Sequence, residues 1–377
     1  MPGLRPEIDP NGLLEYSVVY TDRSLNHMSG SFQAVMNDIS ATLAEVYNAD
    51  AVAIVPGSGT FGMEAVARQF GRDQHCLVVR NGWFSFRWTQ ILEMGSIAKS
   101  HSVFKARPQN AEAQAAFAPA PIDEVCAAIE SEKPHVVFAP HVETSSGMLL
   151  GDDYLKRLSA SVHSVGGLLV LDCIASGTLW VDMKDLGVDV LISAPQKGWS
   201  GSPCAALVMM SERAAARLEE TESDSFACDL KKWRNIMQAY ENGGHAYHAT
   251  MPTDGLRTFA AVMQETKALG FNSTKQWQIE LGSQVRALLS ERGIASVAAE
   301  GFEAPGVVVS YTTDAAFQNG SKFAAEGLQI AAGVPLQCDE PEGFQTFRLG
   351  LFGLDKLQNI DRTVESLRTT LDKLLAK

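Results

Sequence analysis

The sequence predicts an α/β protein: a mostly parallel central sheet with helices on both faces, followed by a smaller α+β domain. Three observations carry this. Short β-branched runs alternate with amphipathic stretches from Ala51 onward, a Gly/Ser/Thr-rich loop follows the first run, and the rhythm changes to long helices after about residue 255.

In chain order, Phe32, Val35, Met36, Ile39, Leu43 and Val46 recur at three- and four-residue steps, which predicts an amphipathic helix over 29–48. The runs Ala51–Val55, Cys76–Val79, His135–Phe138, Leu168–Leu171, Val190–Ile192 and Ala206–Met209 are short and almost wholly apolar, as strands covered on both faces must be. Helical patterns between them, such as Met63, Val66, Ala67 and Phe70, supply the crossovers of a parallel sheet. Helices over 259–269 and 275–292, a strand at 306–310 and a closing helix over 361–375 complete the reading. The expected division is an N-terminal segment 1–28, a large domain 29–255 and a small C-terminal domain 256–377.

Composition narrows the function. With 377 residues, 46% hydrophobic and 20% charged, the chain is globular rather than disordered, and its net charge of −13 disfavours nucleic acid and anionic membranes. No apolar run approaches the roughly 18 residues of a spanning helix, and the N-terminus lacks a signal-peptide pattern, so the expected compartment is the cytoplasm. Cys76, Cys126, Cys173, Cys204, Cys228 and Cys338 are scattered, which predicts reduced thiols and no metal site.

In an open parallel sheet, ligands bind at the carboxyl ends of the strands, and four such places stand out. Pro56-Gly-Ser-Gly-Thr-Phe-Gly62 suits a phosphate cradle at a helix N-terminus, or a plain strand-to-helix turn. Asp172 ends an apolar strand, where a carboxylate needs a cation such as a protonated ring nitrogen, or serves as a cap. Lys197, 25 residues further on between Gln196 and Gly198-Trp199, is placed to lose solvation and become nucleophilic, or stays a solvated loop lysine. Arg348, alone in the apolar pattern Thr346-Phe-Arg-Leu-Gly350, can grip a carboxylate in a bidentate fork or form a structural ion pair.

The order of these parts resembles the class V aminotransferases among the fold-type I pyridoxal-phosphate enzymes, nearest the alanine-glyoxylate and serine-pyruvate group. The resemblance runs from about His27 to the C-terminal helix. It implies pyridoxal 5'-phosphate as cofactor, with Lys197 as the Schiff-base lysine and Asp172 on the pyridine nitrogen. Ser58, Gly59, Thr60 and Gln196 match the phosphate-holding positions, Phe84 the ring-stacking aromatic and Thr144 the residue on the phenolic oxygen. Tyr247 and Thr250 match residues that reach the neighbouring subunit's phosphate, which implies a homodimer with shared active sites, and Arg348 matches the carboxylate-binding arginine.

Two departures appear: the family's Gly-Pro-Gly-Pro opening is replaced by Glu15-Tyr-Ser-Val-Val-Tyr-Thr-Asp22, and Pro195 stands where a serine is common. The expected activity moves an amino group from alanine or serine to glyoxylate or pyruvate by ping-pong turnover. The rivals are an aminophosphonate-pyruvate transaminase, a lyase or desulfurase, and a cofactor-binding protein without turnover; a desulfurase needs a cysteine on a mobile loop, and Cys338, the only candidate, lies in a context that does not read as that loop. An electropositive pocket of Lys197, Arg348 and the helix after Thr60 is expected within the acidic surface.

Overall fold

The computed structural model describes residues 3 and 5–376; residues 1, 2, 4 and 377, at the outer ends of the expected N- and C-terminal divisions, lie outside them. Helix α1 (Gly30–Tyr47) begins where the Ser29 hydroxyl accepts a hydrogen bond from the Phe32 amide at 3.1 Å, and ends at Asn48 in the left-handed region (φ 53°). Its expected apolar face is the buried one, with Phe32, Met36, Ile39 and Leu43 closed to solvent.

Seven strands form the central sheet: β1 (Ala51–Pro56), β2 (His75–Arg80), β3 (Ser100–Lys105), β4 (Val136–Pro140), β5 (Leu168–Asp172), β6 (Val190–Ser193) and β7 (Ala205–Met210). Their order is β1-β7-β6-β5-β4-β2-β3. All neighbours pair parallel except β7, which runs antiparallel to both β1 and β6. Helices cover both faces, so Leu168 to Leu171 are wholly buried, and each such side chain contributes roughly 1.5–3 kcal/mol through removal from water. The sequence reading missed β3 because Ser100-His-Ser-Val-Phe-Lys105 is a half-exposed edge strand with alternating polar residues.

Register sets the level of the chemistry. Pro140 and Ile192 both pair with Asp172, so β4, β5 and β6 end in one row and their following loops emerge side by side. Helices α2 (Gly59–Phe70) and α3 (Trp83–Met94) begin at the same edge, after β1 and β2.

A second core gathers Leu281, Val285 and Leu288 of the helix Phe271–Ser290 with Leu367 and Leu371 of the helix Ile360–Leu375. They pack on an antiparallel sheet of β8 (Val307–Tyr311), β9 (Ala331–Ala332) and β10 (Thr346–Gly350), in the order β8-β10-β9. Arg348 sits on the central strand of this sheet, opposite Val309 and Ala331. Among the described residues no helix is long and apolar enough to cross a membrane.

Candidate active site

The loop between β1 and α2 approaches its neighbours closely. Gly57 adopts φ +122°, and a Cβ on Gly59 would lie 2.5 Å from Ile174 Cδ1, so the turn holds its shape only with hydrogen in place of a side chain. Ser58 occupies the N-cap with its carbonyl accepting from the Phe61 amide at 2.9 Å but its side chain making no cap bond, which leaves the Gly59 and Thr60 amides and the Ser58 hydroxyl available to an anion. Thr60 Oγ1 accepts from Arg87 Nη1 at 2.9 Å, so a guanidinium of α3 stands beside that cradle.

Asp172 is 8% exposed and accepts from the Ile174 amide at 2.9 Å, without an ion pair among the described residues. Burial pushes its carboxyl up to about 6, while the Ile174 amide, Lys197 and Arg87 pull the other way and Glu143 adds to the rise. Lys197 is half-buried in the turn between β6 and β7. Desolvation lowers its amine from the ordinary lysine range, opposed by the negative charges of Asp172 and Glu143 and assisted by Arg348 and Arg87. The turn is tight: a Cβ on Gly198 would meet the Gly177 carbonyl oxygen at 1.9 Å.

Two aromatic rings bracket the lysine. Its Nζ lies 5.7 Å from the Phe84 centroid and 5.8 Å from that of Phe352. Trp199, which the sequence offered as the aromatic flank, is instead fully buried and packs 4.6 Å from Trp180, anchoring the loop rather than lining the pocket. Phe84 also faces Arg87 at 5.3 Å and Arg348 at 5.6 Å. Arg348 donates from Nε to the Ala332 carbonyl at 2.7 Å and from Nη1 to the Thr144 carbonyl at 3.5 Å, and burial lowers it against the pull of Glu143. Among the described residues it bonds carbonyls and no carboxylate, so the structural ion pair entertained for it is not formed there.

The fold thus brings Asp172, Lys197, Phe84, Thr144 and Arg348 to one place, with Ser58 and Gln196 on the adjoining loops and Gly59 and Thr60 at the start of α2. Tyr247 and Thr250 stand apart: exposed, they hydrogen-bond each other at 3.0 Å, and Tyr247 packs 5.5 Å from the His27 ring. The expected electropositive pocket is corrected. Lys197, Arg348 and Arg87 are present, but two buried carboxylates, Asp172 and Glu143, balance much of their charge.

Sequence reading missed Arg87, Phe352 and Glu143. Arg87 and Glu143 lie inside motifs already noted, Asn81–Arg87 and His141–Gly147, but their partners are 27 and 58 residues away along the chain. Cys338 is 2% exposed, donates to the Arg80 carbonyl at 3.4 Å and is pushed up to about 12 by burial, so it is no mobile nucleophile.

A model of the family described as aminotransferase class-V matches residues 13–334. The chain belongs to the class V aminotransferase family. It is 28% identical to a 2-aminoethylphosphonate–pyruvate transaminase of Burkholderia ambifaria, covering 94% of this chain and 92% of that one. An alanine–glyoxylate aminotransferase of Rattus norvegicus is 23% identical over 93% of this chain and 82% of its own. The crystal structure of an alanine–glyoxylate aminotransferase from Nostoc sp. superposes with a TM-score of 0.76 at 21% identity, covering 92% of this chain and 88% of that one. As a class V aminotransferase the protein uses pyridoxal 5'-phosphate. The residues present fit that group: a buried unpaired carboxylate, a desolvated lysine, and two buried polar atoms, Thr144 Oγ1 and Gln196 Oε1, left without partners.

Proposed function

We propose that this class V aminotransferase moves the amino group of a small amino acid, alanine or serine in type, to a small 2-oxo acid such as glyoxylate or pyruvate. The observation that carries the reading is the convergence of Lys197 and Arg348 on the Phe84 ring, at 5.7 and 5.6 Å. A proton-transfer amine and a carboxylate-binding guanidinium on one platform suit a substrate whose reacting carbon is bonded directly to its carboxylate.

When bound, pyridoxal phosphate supplies an electron-withdrawing ring that stabilises negative charge on the substrate's α carbon. The chain's residues do the rest. Ser58, Gly59 and Thr60 offer hydroxyls and the N-terminus of α2 to the phosphate, with Gln196 beside them. Asp172 would hold the ring nitrogen protonated, an ion pair that would offset the cost of its burial. Phe84 would supply the aromatic platform for the ring, and Thr144, whose Oγ1 is buried without a partner, would be a hydroxyl available to it. Lys197 would be the covalent anchor, and its amine, lowered from the ordinary lysine range by desolvation, would be the group that moves the proton of the substrate's α carbon. Arg348 fixes the carboxylate, and with it the plane in which that C–H bond breaks.

The exposed Tyr247–Thr250 pair fits a homodimer in which each chain completes the phosphate site of the other. A second reading, transfer from an aminophosphonate, is favoured by the 28% identity to the Burkholderia transaminase over nearly the whole chain. A guanidinium serves phosphonate as readily as carboxylate.

The test is an absorbance titration of the cofactor-loaded enzyme with alanine, serine and 2-aminoethylphosphonate, followed by glyoxylate or pyruvate. Loss of the visible band with the first two and its return with the oxo acid supports the reading. Bleaching by 2-aminoethylphosphonate alone supports the second. Release of ammonia without an oxo acid overturns both in favour of a lyase.

A further inference from the structure

Glu143 has 0% of its surface exposed and forms no ion pair among the described residues. A lone buried carboxylate is costly, and here five hydrogen bonds offset the cost. Oε1 accepts from the Phe84 amide at 3.2 Å, the Ser145 amide at 3.0 Å and the Ser145 hydroxyl at 2.8 Å. Oε2 accepts from the Ser85 amide at 2.8 Å and the Ser85 hydroxyl at 2.7 Å.

These donors belong to two segments. One is the first turn of α3, whose N-cap position, Gly82, has no side chain of its own to offer. The other is the turn from Glu143 to Gly147. The Ser145 hydroxyl reinforces the join by accepting from the Trp83 amide at 2.8 Å. Gly82 must be glycine for the two to meet, since a Cβ there would lie 2.0 Å from Ser145 Oγ. The segments so joined carry Phe84 and Thr144, which face the cofactor in the function proposed above.

We infer that Glu143 is a positioning residue: it clamps the Phe84 platform to the Thr144 turn, and its fixed negative charge favours the cationic state of the group formed at Lys197. The charged and titratable groups around the lysine are Asp172, Glu143, Arg348 and Arg87; those near Glu143 include Lys197, Arg348, Asp172 and Cys338. With every acceptor position of Glu143 used by a fixed donor, its charge cannot move away from that pocket. An uncharged amide in its place would set an NH2 group against at least one N–H donor.

The inference rests on the pyridoxal-phosphate role of Lys197, and the test separates the two. Wild type, Glu143→Gln, Glu143→Asp and Ser85→Ala are loaded with pyridoxal phosphate, and the visible band is titrated with pH. Cofactor affinity is measured by tryptophan fluorescence quenching. In Glu143→Gln the midpoint of the band falls by about one pH unit as a neighbouring negative charge is lost, and affinity drops roughly tenfold. Glu143→Asp keeps the midpoint near that of wild type while losing affinity. Ser85→Ala, which retains the charge, loses about threefold in affinity with no change of midpoint. An unchanged midpoint in Glu143→Gln beside a lowered melting temperature makes Glu143 a mere helix cap and overturns the inference. Unchanged affinity in Ser85→Ala overturns the clamp even if Glu143→Gln fails to fold. A wild-type protein with no Lys197-dependent band overturns the reading of Lys197 itself.

Discussion

Lys197 and Arg348 face the same ring from different parts of the fold: one follows β6 of the central sheet, the other sits mid-strand in β10, and both lie within 6 Å of the Phe84 centroid, at 5.7 and 5.6 Å. Phe84 is therefore the common floor on which the lysine loop and the small antiparallel sheet meet. Removing the ring takes away an aromatic contact worth about 0.5–1.5 kcal/mol, so Phe84→Ala weakens pyridoxal-phosphate binding roughly 3- to 10-fold, measured by fluorescence titration. Phe84→Tyr preserves it.

Arg348 is held by the carbonyls of Ala332 and Thr144, leaving the rest of its fork for the substrate. Arg348→Gln should raise KM for the amino acid by about 30-fold or more, in line with the loss of a buried charge-assisted pair. The pH midpoint of the loaded cofactor's visible band should rise, because a positive charge that disfavours the cationic state at Lys197 is lost. Steady-state kinetics with alanine and with 2-aminoethylphosphonate read the effect for both substrate classes.

Two buried groups give the cofactor-free chain opposed pH responses. Burial raises Asp172 from 3.8 to about 6, so the folded chain holds this proton more tightly than the unfolded one and stability is lost as pH rises across that interval. His141, bonded through Nδ1 to the Ser176 hydroxyl at 2.7 Å, is lowered from 6.5 to about 4 by burial, with Lys275 contributing. The unfolded chain then binds the extra proton, and stability is lost as pH falls from 6.5 to about 4. Each effect is about 3 kcal/mol. Asp172→Asn should make the cofactor-free protein gain stability relative to wild type between pH 4 and 7, and His141→Gln should flatten its acid destabilisation. Thermal melts at half-unit pH steps measure both. Cofactor binding abolishes the Asp172 difference, since a protonated ring nitrogen stabilises the carboxylate.

Arg286 is the structural guanidinium of the molecule. Its Nη2 donates to the carbonyls of Ala304 at 2.8 Å, Val307 at 3.2 Å and Gly147 at 3.4 Å, tying the helix Phe271–Ser290 to the end of the Thr144 turn. Arg286→Met removes the charged donor shared by these carbonyls, of which Gly147 keeps the Ala304 amide at 2.8 Å, and should cost about 2–3 kcal/mol, seen as a lower urea midpoint. Its effect on cofactor affinity should be smaller than that of Glu143→Gln.

Local chemistry made much of this legible in the sequence. Six strands of the central sheet are apolar because both faces are covered, and α1 shows its buried stripe at helical spacing; β3 escaped because an edge strand keeps polar residues. Asp172, Lys197 and Arg348 could be singled out because each is a charge at the end or within an apolar run. Glu143, Arg87 and Phe352 could not, since what makes them significant is contact with distant segments. Trp199 shows the same limit: adjacency to Lys197 along the chain says nothing about which face of the loop an aromatic occupies.

The reversed direction of β7 has a consequence for the lysine. Because β7 returns directly beside β6, the chain between Ser193 and Ala205 needs no crossover helix, whereas β1 runs straight into α2. In the proposed site the two ends of the cofactor would meet different electrical environments. The phosphate would lie before the aligned peptide dipoles of α2, which attract an anion, while the amine rides on irregular backbone with no such field of its own. Its basicity is left to discrete neighbours, Asp172, Glu143, Arg348 and Arg87, and can be retuned by single substitutions without disturbing the grip on the phosphate.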